Sequence, residues 1–145
     1  MQTINFTPYK TAPSFGALKI KGTEGMQFIK KDSPNVIEKL DVIKNELSKH
    51  NYWDLMVDAD GYKLAYAGTN KIYTVPFKPK KVLKDSTNPR LLIRTSNSES
   101  KKNIISFPVF YNTMDEVKAA YHDIVHSSGL ERMVLIVKAL EGHRH

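Results

Sequence analysis

The chain of 145 residues has the length of one ordinary domain, and its 41% apolar and 26% charged residues are typical of globular proteins and exclude wholesale disorder or a fibrous architecture. The absence of cysteine excludes disulfides, thiol catalysis and thiolate metal sites. The longest aliphatic run, Met133–Val137, is far too short for a membrane span, and no secretory signal is recognisable. We therefore predict a cytoplasmic protein with no membrane span.

The first part of the chain carries short apolar pieces among prolines and glycines. This composition predicts an N-terminal arm over residues 1–24, followed by a single domain over residues 25–145. Alternating residues indicate a short strand at Ala17–Lys21, and a second strand is expected at Met26–Lys31.

A helix is predicted to begin at Ser33 and Pro34. The serine side chain can cap free backbone amides, and proline suits the first helical position because its missing amide hydrogen costs nothing there. Apolar residues then recur at helical spacing until the helix ends near His50. They are Val36, Ile37, Leu40, Ile43 and Leu47.

A β-hairpin is predicted around Asp60–Gly61, because this dipeptide between two alternating runs favours a tight turn. With these two residues at the turn, Val57 pairs with Leu64 and Asp58 with Lys63, so apolar side chains share one face and opposite charges share the other. The same register assigns three aromatic residues to the apolar face and therefore to the core: Trp53, Tyr62 and Tyr66.

Three more strands are predicted after the hairpin, at Lys71–Val75, Arg90–Thr95 and Ile104–Phe110. A basic, proline-containing loop over residues 78–89 separates the first two. A polar turn over residues 96–102 separates the last two, and Pro108 indicates an edge strand or a bulge.

Two elements are predicted at the end of the chain. Thr113 and Glu116 form a capping box that opens a helix, and Gly129 suits its exit. The run Met133–Val137 fits either a buried strand or a helix, and its aliphatic density favours a strand. The helix is expected to bury Met114, Val117, Ala120, Tyr121 and Ile124.

These elements predict an α+β fold. An antiparallel sheet of about five strands, arranged as a meander, packs with two helices and is preceded by the N-terminal arm.

Positive charge is concentrated in one segment. The chain carries a net charge of +7, and residues 78–102 hold eight basic residues against two acids. Such a segment attracts phosphates, acidic proteins or anionic head groups, although lysines on loops and sheet edges are also common as plain solvated charge. The basic residues are Lys78, Lys80, Lys81, Lys84, Arg90, Arg94, Lys101 and Lys102.

Recognisable catalytic and metal motifs are missing. Asp58–Gly61 resembles part of a calcium loop, but Met56 and Ala67 stand where oxygen ligands belong, so a hairpin turn explains it better. His122 and His126 are one helical turn apart, yet they lie opposite the apolar stripe and are expected to face water. The chain has neither a glycine-rich phosphate loop nor a nucleophile elbow. We predict no catalytic residue, no metal site and no cofactor, while leaving open an enzyme with an unrecognised site.

Two partial resemblances concern the end of the chain. The strand Leu91–Ser96, the turn at Lys101–Lys102 and the following strand and helix resemble the closing part of the RNA-binding Alu-domain subunits of the signal recognition particle. The same unit is similar to the end of pleckstrin-homology-like domains, which bind phosphoinositides or peptides. Each resemblance covers less than a third of the chain and includes no diagnostic motif. The two additional strands, the proline-rich arm and the final apolar segment depart from the first pattern, and the long early helix departs from the second.

The basic segment over residues 78–102 leads to the functional prediction. We expect a small, non-enzymatic protein that binds RNA or single-stranded DNA through phosphate contacts. The alternative is a protein interaction module, an adaptor or inhibitor that docks an acidic partner or pairs through an edge strand.

Overall fold

A computed structural model describes residues 17–50, 52–66, 69, 71–74, 79–82, 89–97 and 103–142. This part of the chain forms seven strands and four α-helices. The strands are β1 (Leu18–Ile20), β2 (Trp53–Asp58), β3 (Gly61–Tyr66), β4 (Ile72–Thr74), β5 (Lys80–Val82), β6 (Arg90–Asn97) and β7 (Ile104–Phe110). The helices are α1 (Gly22–Asp32), α2 (Leu40–Leu47), α3 (Met114–Val125) and α4 (Gly129–Gly142), with a 3₁₀ helix over Pro34–Lys39 before α2. The predicted α+β class is confirmed, but there are more strands and helices than expected.

All the described strands belong to one sheet. β1 is parallel to β2, which the long connection through α1 and α2 permits. The other pairs are antiparallel. β4 and β5 both pair with β6, and β7 pairs along the opposite edge of β6, so β4 and β5 share one position in the sheet. The predicted meander is therefore interrupted by the parallel β1 and by the break between β4 and β5.

The helices pack against one side of this sheet, which we call the inner face. Buried strand residues alternate along the chain, as expected for a sheet with one covered side. They form a single hydrophobic cluster with the buried side chains of the four helices. The strand residues of this cluster are Leu18, Trp53, Leu55, Val57, Leu64, Tyr73, Leu91, Ile93 and Val109. We call the opposite side of the sheet the outer face.

The prediction that Trp53, Tyr62 and Tyr66 face the core is confirmed. Trp53 is buried, and both tyrosines pack against the same cluster. Trp53 meets Tyr66 edge-on with ring centroids 4.9 Å apart, a favourable aromatic arrangement.

The hairpin turn lies one residue earlier than predicted. Ala59 and Asp60 form it, instead of Asp60 and Gly61. Asp58 pairs with Gly61, and Leu55 pairs with Leu64. The side chain of Asp58 accepts a hydrogen bond from the amide of Asp60 at 2.8 Å, and Gly61 takes the positive φ of +128° as the first residue of β3. The aspartate thus closes the turn one residue earlier. Because the change moves each partner by two positions, every side chain keeps its predicted face.

α4 lies against the sheet, α1, α2 and α3, and both of its ends are held by hydrogen bonds. At its start, the amide of Leu130 donates to Ser33 Oγ at 3.0 Å. At its end, Glu141 Oε2 accepts from the amides of Tyr52 and Trp53 at 2.7 and 2.6 Å. The prediction of a strand over Met133–Val137 is therefore wrong. The run is aliphatic because the helix is covered on several sides, and a helix that is apolar all round is typical of a buried position.

Other predictions about the helices are also wrong. Met26–Lys31 belongs to α1, in which Gly25 and Ile29 are buried one turn apart. Ser33 does not cap the helix that follows it, because its hydroxyl serves α4 instead. Met114 is 41% exposed at the first turn of α3, whereas Val117 and Ile124 are buried as expected.

Gly129 does not end α3, which stops at Val125, but begins α4 with φ at +57°. A Cβ atom at this position would lie 2.0 Å from Ser33 Oγ and 2.7 Å from Asp32 Oδ2. Ser33 Oγ also donates to Asp32 Oδ2 at 2.9 Å, and the Tyr62 hydroxyl donates to the same oxygen at 2.6 Å. The glycine therefore lets α4 approach a polar junction between α1 and β3.

Replacing Gly129 by alanine is expected to lower the free energy of unfolding by about 1–3 kcal/mol from the left-handed backbone alone, with a further loss from the clash with Ser33. Urea unfolding followed by circular dichroism measures this change. In a Ser33→Ala background the same substitution should cost less, because the clashing hydroxyl is gone. Gly142→Ala is the control, since its added Cβ meets nothing within 4 Å. Equal losses at both glycines would contradict the role assigned to Gly129.

Candidate nucleic-acid interface

The described part of the chain contains half of the predicted phosphate-binding residues. Those described are Lys80, Lys81, Arg90 and Arg94. Those outside the described residues are Lys78, Lys84, Lys101 and Lys102. The segment predicted as a loop also contains the short strand β5, which fixes the faces of the first two lysines.

The pairing of β5 with β6 brings three of the four residues onto the outer face. Lys80 lies opposite Leu92, and Leu92 stands midway between Arg90 and Arg94. Because paired residues share a face, Lys80 joins the two arginines. Strand geometry puts the arginine Cα atoms about 13 Å apart and the lysine Cα about 8 Å from each. The three cations thus form a triangle suited to contacts with several phosphates of one backbone.

Lys81 lies on the other side of the sheet. It pairs with Leu91 on the inner face, and its ammonium nitrogen lies 4.5 Å from the centroid of the Tyr121 ring in α3. This cation–π contact holds the lysine against the helical layer. The structure therefore separates Lys81 from the other three predicted residues.

Apolar side chains lie beside Arg90 on the outer face, whereas Arg94 lies opposite Ser106. Phe110 lies opposite Arg90, and Pro108 lies opposite Leu92. On the other side of β6, Val82 lies opposite Arg90. Phe110 and Val82 are partly buried, and Pro108 is exposed. Phe110 was not among the predicted site residues. The two strands predicted on either side of the polar turn could have identified this residue, because their antiparallel pairing puts Phe110 beside Arg90.

The distant end of the outer face is charge-balanced. Lys19 Nζ lies 3.0 Å from Asp54 Oδ2, and Lys63 Nζ lies 2.5 Å from Asp58 Oδ2. Among the described outer-face residues, these two aspartates in β2 are the acidic ones. The cations of β5 and β6 therefore occupy an end of the face where the described strands present no acid.

The pKa of Asp58 is lowered by its partners. Partial burial acts to raise it, but this effect is outweighed by hydrogen bonds from Lys63 and from the amides of Asp60 and Gly61, together with the positive charge of Lys63. The ionised carboxylate is thus favoured in the folded protein.

His122 in α3 and His126, which directly follows α3, are exposed, as predicted. The rings of His122 and His126 stack with centroids 4.0 Å apart, and His126 Nδ1 lies 2.9 Å from the carbonyl oxygen of His122. Within the described residues, no three histidine, aspartate or glutamate side chains come together as possible metal ligands.

A surface groove between α3 and α4 holds several titratable groups. Glu116 completes the predicted capping box with Thr113, and Lys138 Nζ pairs with Glu46 Oε1 at 2.7 Å. Burial and the nearby charge of Glu116 raise the pKa of Tyr111. These interactions hold the start of α3 and join α4 to α2, so they have a structural role.

Comparison with known protein families, with curated proteins and with solved structures gives no match. No described helix has the length and apolar content needed to cross a bilayer. The outer face itself is therefore the feature of this protein that points to a function.

Replacing Asp58 by asparagine is expected to destabilise the protein at neutral pH, because asparagine can still close the turn but loses the ion pair with Lys63. The pKa of Asp58 is lower in the folded state, so its stabilising contribution is present above the unfolded pKa of about 3.9 and is lost as the pH falls through the folded value. Urea unfolding of both proteins at pH 7 and near pH 2.5 measures the difference. A gap that stays constant with pH would contradict this assignment.

Proposed function

We propose that this protein is a non-enzymatic binder of RNA or single-stranded DNA, and that Lys80, Arg90 and Arg94 contact the phosphate backbone on the outer face. The register between β5 and β6 carries the proposal, because it collects these cations on the sheet side that the helices leave uncovered. Lysine and arginine contacts to phosphates supply most of the affinity of such proteins.

The shape of the surface supports a flexible strand over a duplex. The three cations stand on a sheet, while the helices pack on the other side, so these cations do not belong to a helix that could enter a major groove. A single strand can follow a sheet surface and exposes its bases to side chains between the phosphate contacts.

A protein interaction through the edge strand β7 is the second candidate function. The amide of Tyr111 donates to the carbonyl of Pro89 at 3.1 Å, and antiparallel pairing alternates this direction from residue to residue. The amides of Ile104, Ser106 and Phe110 are therefore directed to the outer edge of β7, where another strand can add.

Pro108 limits this second function. It occupies a position whose amide would also point outward, and proline has no donor there. The predicted edge position of Pro108 agrees with the pairing of β7. Strand addition is thus confined mainly to residues 104–106, a short segment, and the outer-face cations remain the better-supported site.

Replacing Lys80 by glutamine is expected to weaken binding of a labelled single strand about eightfold near 50 mM salt and about threefold near 200 mM, because one phosphate contact contributes about 0.7 to the slope of log K against log salt. Fluorescence anisotropy with single-stranded RNA, single-stranded DNA and duplex DNA measures these affinities. The natural protein should bind the single strands more tightly than the duplex.

Lys81→Gln is the matched control, since it removes the same charge from the adjacent residue on the inner face. It should leave the affinity nearly unchanged. Equal losses for the two lysines would contradict an outer-face site, and no binding of any strand at low salt would reject the proposed function. Partner binding that tolerates high salt and is lost in Ser106→Pro would support strand addition instead.

A further inference from the structure

The outer edge of β7 presents backbone groups that pair with no other described strand. Because the amide of Tyr111 bonds to Pro89 on the β6 side, the amides and carbonyls of Ile104 and Ser106 are directed away from β6. Ile104 is 54% exposed, and Ser106 and Pro108 are exposed as well. This edge is therefore accessible to another strand.

The side chains of β7 are all uncharged. The seven residues Ile104–Phe110 include no lysine, arginine, aspartate or glutamate, whereas the whole chain carries a net charge of +7. Exposed edge strands are commonly protected by lysine, and β7 lacks this protection. The positive field of the protein repels a second copy, so an uncharged edge is where two copies can approach. A charged partner would gain no ion pair along this strand.

The three exposed residues of β7 are symmetric about Ser106. If two copies of β7 pair antiparallel with Ser106 at the centre, Ile104 lies opposite the partner's Pro108 on the outer face. On the inner face, Ile105 lies opposite the partner's Phe107. Apolar side chains therefore meet in the rows on both sides of the serine pair, an arrangement that stabilises paired strands.

The backbone groups are also complementary in this register. The amide of each Ser106 reaches the carbonyl of the partner's Ser106, and the amide of each Ile104 reaches the carbonyl of the partner's Pro108. Four hydrogen bonds result. Pro108 supplies only an acceptor, because proline has no amide hydrogen, and the register requires only an acceptor from it.

We propose that two copies of this chain associate by antiparallel pairing of their β7 strands about Ser106. This inference rests on the second candidate function, strand addition at β7, and names a second copy as the partner. Such pairing continues one sheet through both copies, with the two outer faces on the same side. Arg94 lies opposite Ser106, so the Cα atoms of the two Arg94 residues would be about 14 Å apart. At physiological salt this separation exceeds the screening length, and the repulsion between them is weak.

Sedimentation equilibrium tests the pairing over protein concentrations from about 10 μM to 1 mM, because a strand pair of this size makes a weak interface. The natural chain should shift from monomer towards dimer as the concentration rises. Ser106→Pro removes two of the four hydrogen bonds, so it should raise the Kd of the dimer about 5- to 150-fold. Ser106→Ala is the matched control, since it keeps the amide and should leave the Kd nearly unchanged. Thermal unfolding of both variants checks that the fold is intact.

A single cysteine tests the register. The natural chain has no cysteine, so any disulfide in a Ser106→Cys variant joins two chains. Opposed residues of a hydrogen-bonded pair have Cα atoms about 5.5 Å apart, which suits a disulfide. Under mild oxidation Ser106→Cys should form a covalent dimer much faster than Ser128→Cys, which changes an exposed serine outside β7.

Three results would overturn this inference: a monomer at every concentration, equal Kd values for Ser106→Pro and Ser106→Ala, or equal cross-linking of the two cysteine variants. If the natural chain stays monomeric but binds another protein in a manner that Ser106→Pro abolishes, strand addition stands and only the choice of a second copy fails. Salt separates the dimer from phosphate binding. Between about 50 and 200 mM salt, self-association should not weaken, whereas phosphate contacts lose affinity strongly.

Discussion

The docking of α4 is the constraint on which the rest of the structure depends. At the start of the helix, Ser33 Oγ accepts a hydrogen bond from the amide of Leu130. At its end, the carboxylate of Glu141 accepts hydrogen bonds from the amides of Tyr52 and Trp53 at the start of β2. Between these two contacts, Leu130 and Val137 are completely buried. The helix thereby closes the core over the sheet and also joins α1, α2 and α3. Without Ser33, the buried amide of Leu130 would have no hydrogen-bond acceptor. Such an unsatisfied group costs about 1–3 kcal/mol, a large fraction of the stability of a small domain.

The position of α4 also determines which surface is available for function. Because the helices cover one face, successive residues along each strand alternate between the covered inner face and the outer face. Lys80 and Lys81 illustrate this division: adjacent in sequence, they lie on opposite sides of the sheet, one beside the arginines and the other over Tyr121. The sequence shows only two adjacent lysines of equal charge. The pairing of the three residues of β5 with β6 assigns these lysines to opposite faces.

Local patterns in the sequence predicted those elements that local forces determine. The capping box at Thr113, the strand Ile104–Phe110 and the faces of the first hairpin depend on residues close in the chain. The errors involve distant partners. For Met133–Val137 in α4, a strand was favoured over the helix that was also left open, because the contacts of α4 come from the sheet and from Ser33, 97 residues away. β5 was missed because three residues form a strand only beside β6. For the site, the basic segment was visible, but the pairing with Phe110 required the register of two strands.

The order of synthesis gives the α4 contacts a further consequence. A ribosome delivers β2 to β7 before α4, so until α4 arrives the nascent inner face lacks one of its covering helices. This face includes Trp53, Tyr73 and Phe107, whose ring centroids lie within 6.1 Å of one another. Exposed apolar strands of this kind associate readily with other chains. Between the emergence of β7 and the arrival of α4, the exposed apolar surface is therefore at its most prone to aggregation, and a chaperone is most needed. A chain truncated before residue 129 would remain in that state.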